Sequence, residues 1–280
     1  WIGIFTMKTL LAIHDVDQTI DSLGPVVAFA KEMGAHLNVV VMGMMHSVAA
    51  VATPGAPVYY YDDYNREIVE SCKIRMGEVE TMVQEAELSA SVTMECKDPG
   101  VIEGTVLGHA LLTDVTVFAS RSVLAGHSRE ASFNGALSNS GRPILILGAD
   151  NKPIPPIKTV MFAWNGSPQS AKATHHSLPL LPEGVKAHVV VVDPDEYKTG
   201  PNPGDDVAAF LARKGLQVTV DRLPSVQRDP SDVLLRHAKD IGADLLVMGA
   251  YGHSRFREWL LGGTTRYVLE RADLPVLMAH

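Results

Sequence analysis

Cysteine is scarce. The chain has two in 280 residues, Cys72 and Cys96, with no CxxC or metal-type spacing. That excludes a disulfide framework and points to a reducing, cytoplasmic compartment. Positive charge is also in deficit: 24 Lys and Arg stand against 32 Asp and Glu, a formal charge of −8 with no basic run. Neither nucleic acid nor an anionic membrane is therefore an expected partner. No apolar run reaches the ~18 residues a membrane span needs. The opening WIGIFTMKTLLAIHD lacks the basic start and small-residue cleavage site of a signal peptide. Met7 is expected to be the natural start, with residues 1–6 an upstream extension outside the fold. GxGxxG is missing after either first strand, as is GxxxxGK[ST], which argues against a dinucleotide oxidoreductase or a P-loop enzyme.

What is present suits a globular protein of two domains: 46% hydrophobic and 20% charged residues over 280 positions. Apolar runs at 8–13, 36–42, 115–119 and 143–147 read as strands buried on both faces. Helical spacing at 22–33 stops at Gly34, and a second helical pattern runs over 64–86. Residues 91–95 alternate like a strand, and 100–112 reads as a helix. Residues 148–157 (GADNKPIPPI) have linker composition. The order then restarts. KTVMFA at 158–163 repeats the Lys-Thr opening of KTLLAI at 8–13, and Asn165 stands where Asp15 stood 150 positions earlier. Runs at 188–192, 217–222, 243–248 and 274–278 repeat the later strands, with a helix at 205–214 ended by Gly215. This duplication predicts an α/β fold of two tandem, open, Rossmann-like parallel-sheet domains, at 7–150 and 158–280, joined by a linker at 151–157.

In an open parallel sheet, ligands bind at the carboxyl ends of the strands. In the second copy those ends present Asn165, Val192, and Met248 with Gly249. Gly249 and Gly252 allow close backbone approach, and Gly262, Gly263, Thr264 and Thr265 put amides and hydroxyls at a helix start. That combination suits phosphate. His253 flanks the loop, where it reaches either a phosphate or a loop-ordering partner, and Arg255 and Arg257 follow. Ser167 reads as the cap of a helix with Pro168 at its first position. Eleven histidines are present, but none forms HxxxH or HxH beside an acid or cysteine, so no metal site is expected.

The glycine spacing Gly249-x2-Gly252-x9-Gly262, the GHS at 252–254 and the closing DLPVLM resemble the universal stress protein family. The resemblance covers nearly the whole chain as two fused family domains, the tandem form, with an adenine nucleotide alpha hydrolase-like fold. It implies a bacterial stress-response protein whose second domain binds ATP, or AMP or ADP, with or without Mg²⁺. In that reading Asn165 and Val192 meet the adenine and the glycine loop takes the phosphates. Two positions depart from the family pattern: Asn165 replaces an acid, and Gly263 replaces the hydroxyl residue after the third glycine. The first copy retains Asp15, but Ala119 replaces the first glycine, and Gly135 alone is left to open a shortened last helix. That copy is expected to be structural or regulatory. No general base or positioned nucleophile stands out, so at most slow hydrolysis is expected. The alternative is an interaction module whose glycine loop only shapes the chain. The resemblance also implies a pseudo-dimer within the chain, with further homodimerisation left open.

Overall fold

The computed structural model describes residues 7–46, 59–119, 125–148, 154–194, 202–250 and 263–280. Its contacts divide the chain into two compact units, Met7–Arg142 and a second containing Pro143–His280. Both are open, mostly parallel α/β sheets, as the alternation of apolar runs and helical patterns requires.

In the first unit, β1 (Thr9–Asp15), β2 (His36–Met44), β3 (Ala90–Lys97) and β4 (Val115–Phe118) lie in the order β3-β2-β1-β4, every pair parallel. The central strands are buried on both faces, and Leu10, Leu37 and Val39 are fully inaccessible. Each such side chain contributes about 1.5–3 kcal/mol by leaving water. Edge strand β3 alternates between half-exposed and exposed positions. The crossovers are helical: α1 (Gly24–Met33), α2 (Tyr59–Glu85) and α3 (Pro99–Ala110), with α4 (His127–Ser138) following β4. Gly34 ends α1 in the left-handed region, at φ 57°, and its amide returns to Lys31. Helix α2 begins five residues earlier than its apolar spacing predicts. Cys72, Val79 and Val83 form its buried face.

In the second unit, β5 (Ile144–Ile146), β6 (Thr159–Ala163), β7 (Lys186–Val192), β8 (Gln217–Leu223), β9 (Leu245–Gly249) and β10 (Val276–Ala279) lie in the order β5-β10-β9-β6-β7-β8. All pairs are parallel except β5 with β10, which run antiparallel with Leu277 opposite Leu145. β5 pairs with the last strand, and the contacts divide the chain at Arg142 rather than near residue 150. The helices here are α5 (Pro168–Ser177), α6 (Asp205–Arg213), α7 (Pro230–Asp240) and α8 (Gly263–Arg271).

The duplication extends to a device that composition hides. Asp114 Oδ2 accepts the amides of Lys8 and Thr9 at 2.6 and 2.9 Å, and Asp244 Oδ2 accepts those of Lys158 and Thr159 at 2.8 and 2.9 Å. In each unit a carboxylate just before one strand, β4 or β9, fixes the start of its neighbour, β1 or β6, by charge-assisted hydrogen bonds. Among the described residues, no helix is long and apolar enough to cross a membrane.

Candidate functional site

The carboxyl edge of the second unit is set by strand register. Ala163 of β6 lies beside Val190 of β7 and Met248 of β9, so Asn165 comes level with Val192, and Trp164 with Gly249. Asn165 is exposed, and its Oδ1 accepts the amide of Ser167 at 3.2 Å. Ser167 caps α5: its Oγ accepts the amide of Ser170 at 3.1 Å, and Pro168 occupies the first turn. The reading of Ser167 as a cap holds. Val192 closes β7 half-exposed, and Asp193 follows at φ 47°. An unbranched acid tolerates that left-handed conformation where a β-branched residue does not.

Gly249 ends β9 directly against the start of α5. A Cβ there would lie 2.6 Å from the Ser170 nitrogen and 2.7 Å from the Gln169 carbonyl carbon. The absence of a side chain thus lets the first helix sit against the strand end. The ladder continues one residue further, with Ala250 donating to the Ala279 carbonyl at 2.9 Å. Residues 251–262 lie outside the described residues, and with them Gly252, His253, Gly262, Arg255 and Arg257. The described chain resumes at Gly263, which opens α8. Gly263 and Thr264 are exposed, and nothing lies within 4 Å of a Cβ built on Gly263. Thr265 is buried in the first turn, and Met248 is buried between β6 and β10. The side chains of those two contribute packing. Asn165, Val192, Gly249, Gly263 and Thr264 all stand at strand or helix ends of the kind that bind anions and bases in open α/β sheets.

The first unit's carboxyl edge is occupied by its own side chains. Asp15 ends β1 almost fully buried, and Oδ1 accepts the Ser128 hydroxyl at 2.6 Å. Arg129 Nε lies 3.5 Å from Oδ2, and its Nη2 is 2.8 Å from Asp17. Burial pushes the Asp15 carboxyl up to about 6, with Asp17 adding to the rise and the Ser128 hydrogen bond and Arg129 opposing it. Beside it His14, also buried, accepts from Arg75 Nη1 at 2.8 Å. Burial and then the Arg75 charge lower the imidazole to about 4. Arg75 also donates to the Gln18 carbonyl and pairs with Glu78 at 2.7 Å.

Sequence spacing missed how α4 begins. Gly126, at φ 106°, precedes a helix that starts at His127, so His127–Ser128 open α4 as Gly263–Thr264 open α8. The last helix of the first unit is therefore not shortened: α4 has 12 residues and α8 has nine. Gly135 lies inside it, where a Cβ would strike the Glu103 carbonyl of α3, and it serves helix packing.

A second cluster lies away from the strand ends. His188 Nδ1 of β7 is 2.7 Å, and His237 Nε2 of α7 is 3.0 Å, from Asp221 Oδ2 of β8. Spacing did not reveal it because each residue comes from a different element.

Open, mostly parallel α/β sheets with helical crossovers define the class of fold, and comparison narrows the class. Residues 156–280 match the family model described as Universal stress protein family. A universal stress protein of Synechocystis sp. is 31% identical over 128 residues, 43% of this chain, and the match spans only 42% of that relative's length. Among solved structures, a universal stress protein from Archaeoglobus fulgidus superimposes with a TM-score of 0.69 at 18% identity, covering 96% of this chain and 95% of that one. A protein titled a putative universal stress protein from Pseudomonas aeruginosa gives 0.58 at 15% identity, covering 99% and 94%. At these identities the structural matches speak for the fold. Residues 156–280 are thus similar to the universal stress protein family.

Proposed function

We propose that the second unit binds an adenine nucleotide, ATP foremost, in a stress-response or signalling role, and that the first unit is structural or regulatory. What supports this reading is the register that sets Ala163 beside Val190 and Met248, so that Asn165 follows β6 at the edge where β7 ends at Val192 and β9 at Gly249. An amide at Asn165 offers both a donor and an acceptor to an adenine edge. Phosphates would lie along the glycine loop and the amides of Gly263 and Thr264, with Mg²⁺ as the expected companion ion. Gly263 provides an amide without a hydroxyl, which weakens binding by about 0.5–1.5 kcal/mol relative to Ser or Thr.

One observation favours the alternative of an interaction module. Gly249 is already required by the packing of α5, so its presence does not by itself call for a ligand. Nucleotide release separates the two readings. The purified chain is denatured and its supernatant analysed for adenine nucleotide, and melting is followed with and without millimolar ATP. The proposal expects bound nucleotide or a raised melting temperature, since ligand at 100 times Kd stabilises by about 2.7 kcal/mol. Neither signal in the wild type would leave the interaction module.

A further inference from the structure

We propose that His188, Asp221 and His237 form a binding site for a divalent transition-metal ion of the zinc type, on the face of the second unit covered by α7. This site is independent of the nucleotide reading. His188 lies four residues before Val192, about 13 Å along the strand. Register places Asp221 beside Val190, so His188 and Asp221 share a face of the β7–β8 pair. α7 brings His237 over it. The three side chains are 21%, 21% and 18% exposed, sheltered yet open to entry. Their ligand atoms all lie within 4.8 Å of one another.

Two imidazoles and one carboxylate, with a remaining open position, form a donor set that zinc accepts, whereas Ca²⁺ and Mg²⁺ prefer oxygen alone. A tetrahedral ion with bonds of ~2.0–2.1 Å holds its ligand atoms about 3.3 Å apart. Both histidine nitrogens sit a few tenths of an ångström closer than that to Asp221 Oδ2. The two histidine nitrogens lie within 4.8 Å of each other, so ring rotations that open the two contacts to Asp221 and set this third distance near the same value would admit the ion. Without metal, each ring points an N–H at Asp221. Coordination moves that proton to the ring's other nitrogen or to solvent.

The first unit supplies an internal control. Asn38 stands at the register position of His188, and Thr93 at that of Asp221. There the helix histidine His109 meets Glu95 at 3.3 Å, and Lys97 Nζ sits 3.2 Å from the same carboxylate. A fixed cation fills the place an ion would take.

The test is titration of the metal-stripped full chain with Zn²⁺ by calorimetry, and with Co²⁺ by visible absorption. Wild type should bind one ion per chain and melt higher with Zn²⁺. His237→Asn and Asp221→Asn should each weaken binding by more than the roughly 10–100-fold that outer-shell changes cost, while His109→Asn leaves it unchanged. Circular dichroism confirms that each variant is folded, and His188→Asn replaces either that is not. Absence of binding to the wild type overturns the proposal and leaves the three residues as a hydrogen-bonded tie between α7 and the sheet. Undiminished binding to the folded variants overturns it equally.

Discussion

The first strands of the two units begin alike and end differently. Each starts with Lys-Thr held by an aspartate one strand away, Asp114 in one and Asp244 in the other. At the far end, β1 delivers His14 and Asp15 into a buried cluster with Ser128, Arg129 and Arg75. β6 leads to an exposed Asn165 whose Oδ1 accepts the Ser167 amide. Duplication has conserved the device that starts the strand and let the ligand-facing end diverge. Among the described residues, one edge is filled by ion pairs and hydrogen bonds within the unit, and at the other Asn165 stays exposed. An enclosed carboxylate also costs more to maintain than an exposed amide, which is why Asp15 titrates near 6.

Breaking the close approach in the second unit should have the largest effect. Gly249→Val forces side-chain carbons into the backbone of α5 and should destabilise that unit by about 3 kcal/mol, read from urea midpoints. Ala119→Gly, at the matching strand end of the first unit, should change stability by less than about 1 kcal/mol.

Acid should expose the buried cluster next. Asp15 rises from 3.8 to about 6 on folding, so between those values the folded state holds a proton the unfolded chain has lost, and this group's contribution falls as pH rises. His14 drops from 6.5 to about 4, so over nearly the same window the unfolded chain holds the extra proton, and its contribution falls as pH drops. The two offset, and the wild-type contribution of this pair is nearly flat from pH 6.5 to 4. His14→Asn leaves Asp15 alone and should gain on the order of 2–3 kcal/mol relative to wild type on acidification across that window. Parallel profiles for the two proteins would sink this account.

A smaller loss is expected from Ser128→Ala. Removing a hydrogen bond to a buried carboxylate should cost about 2 kcal/mol near neutral pH and less at pH 4, where Asp15 is protonated. Its counterpart at the open edge is Ser167→Ala, which loses a helix cap for about 1 kcal/mol with no such pH dependence. If the two serines gave the same pH response, the contrast between a filled and an open edge would fail.

Much of this was legible before any coordinates. Strands such as β1, β2, β7 and β9 are apolar on both faces, and in a chain this length such runs have few places to go but the centre of a parallel sheet. The last apolar residues of β7 and β9 marked those strand ends, and the structure puts Val192 and Gly249 at them, with Asn165 two residues beyond β6. What escaped was long-range or weakly patterned. α4 reads HSREASFNGALS, which carries no apolar period strong enough to declare a helix starting at His127. Asp114 and Asp244 look like ordinary turn residues until their amide partners are seen. The His188–Asp221–His237 cluster draws on two strands and a helix, so no local motif encodes it. β5 is three residues long, and nothing in ILI announces that it pairs antiparallel with β10.

The central claim is that one edge binds nucleotide and the other is closed by its own residues. Calorimetric titration of the full chain with ATP and Mg²⁺ tests it most directly, through stoichiometry. The account predicts one nucleotide per chain, retained in Asp15→Asn and lost in Gly252→Val. Two per chain, or one that survives Gly252→Val and disappears with Asp15→Asn, would contradict it.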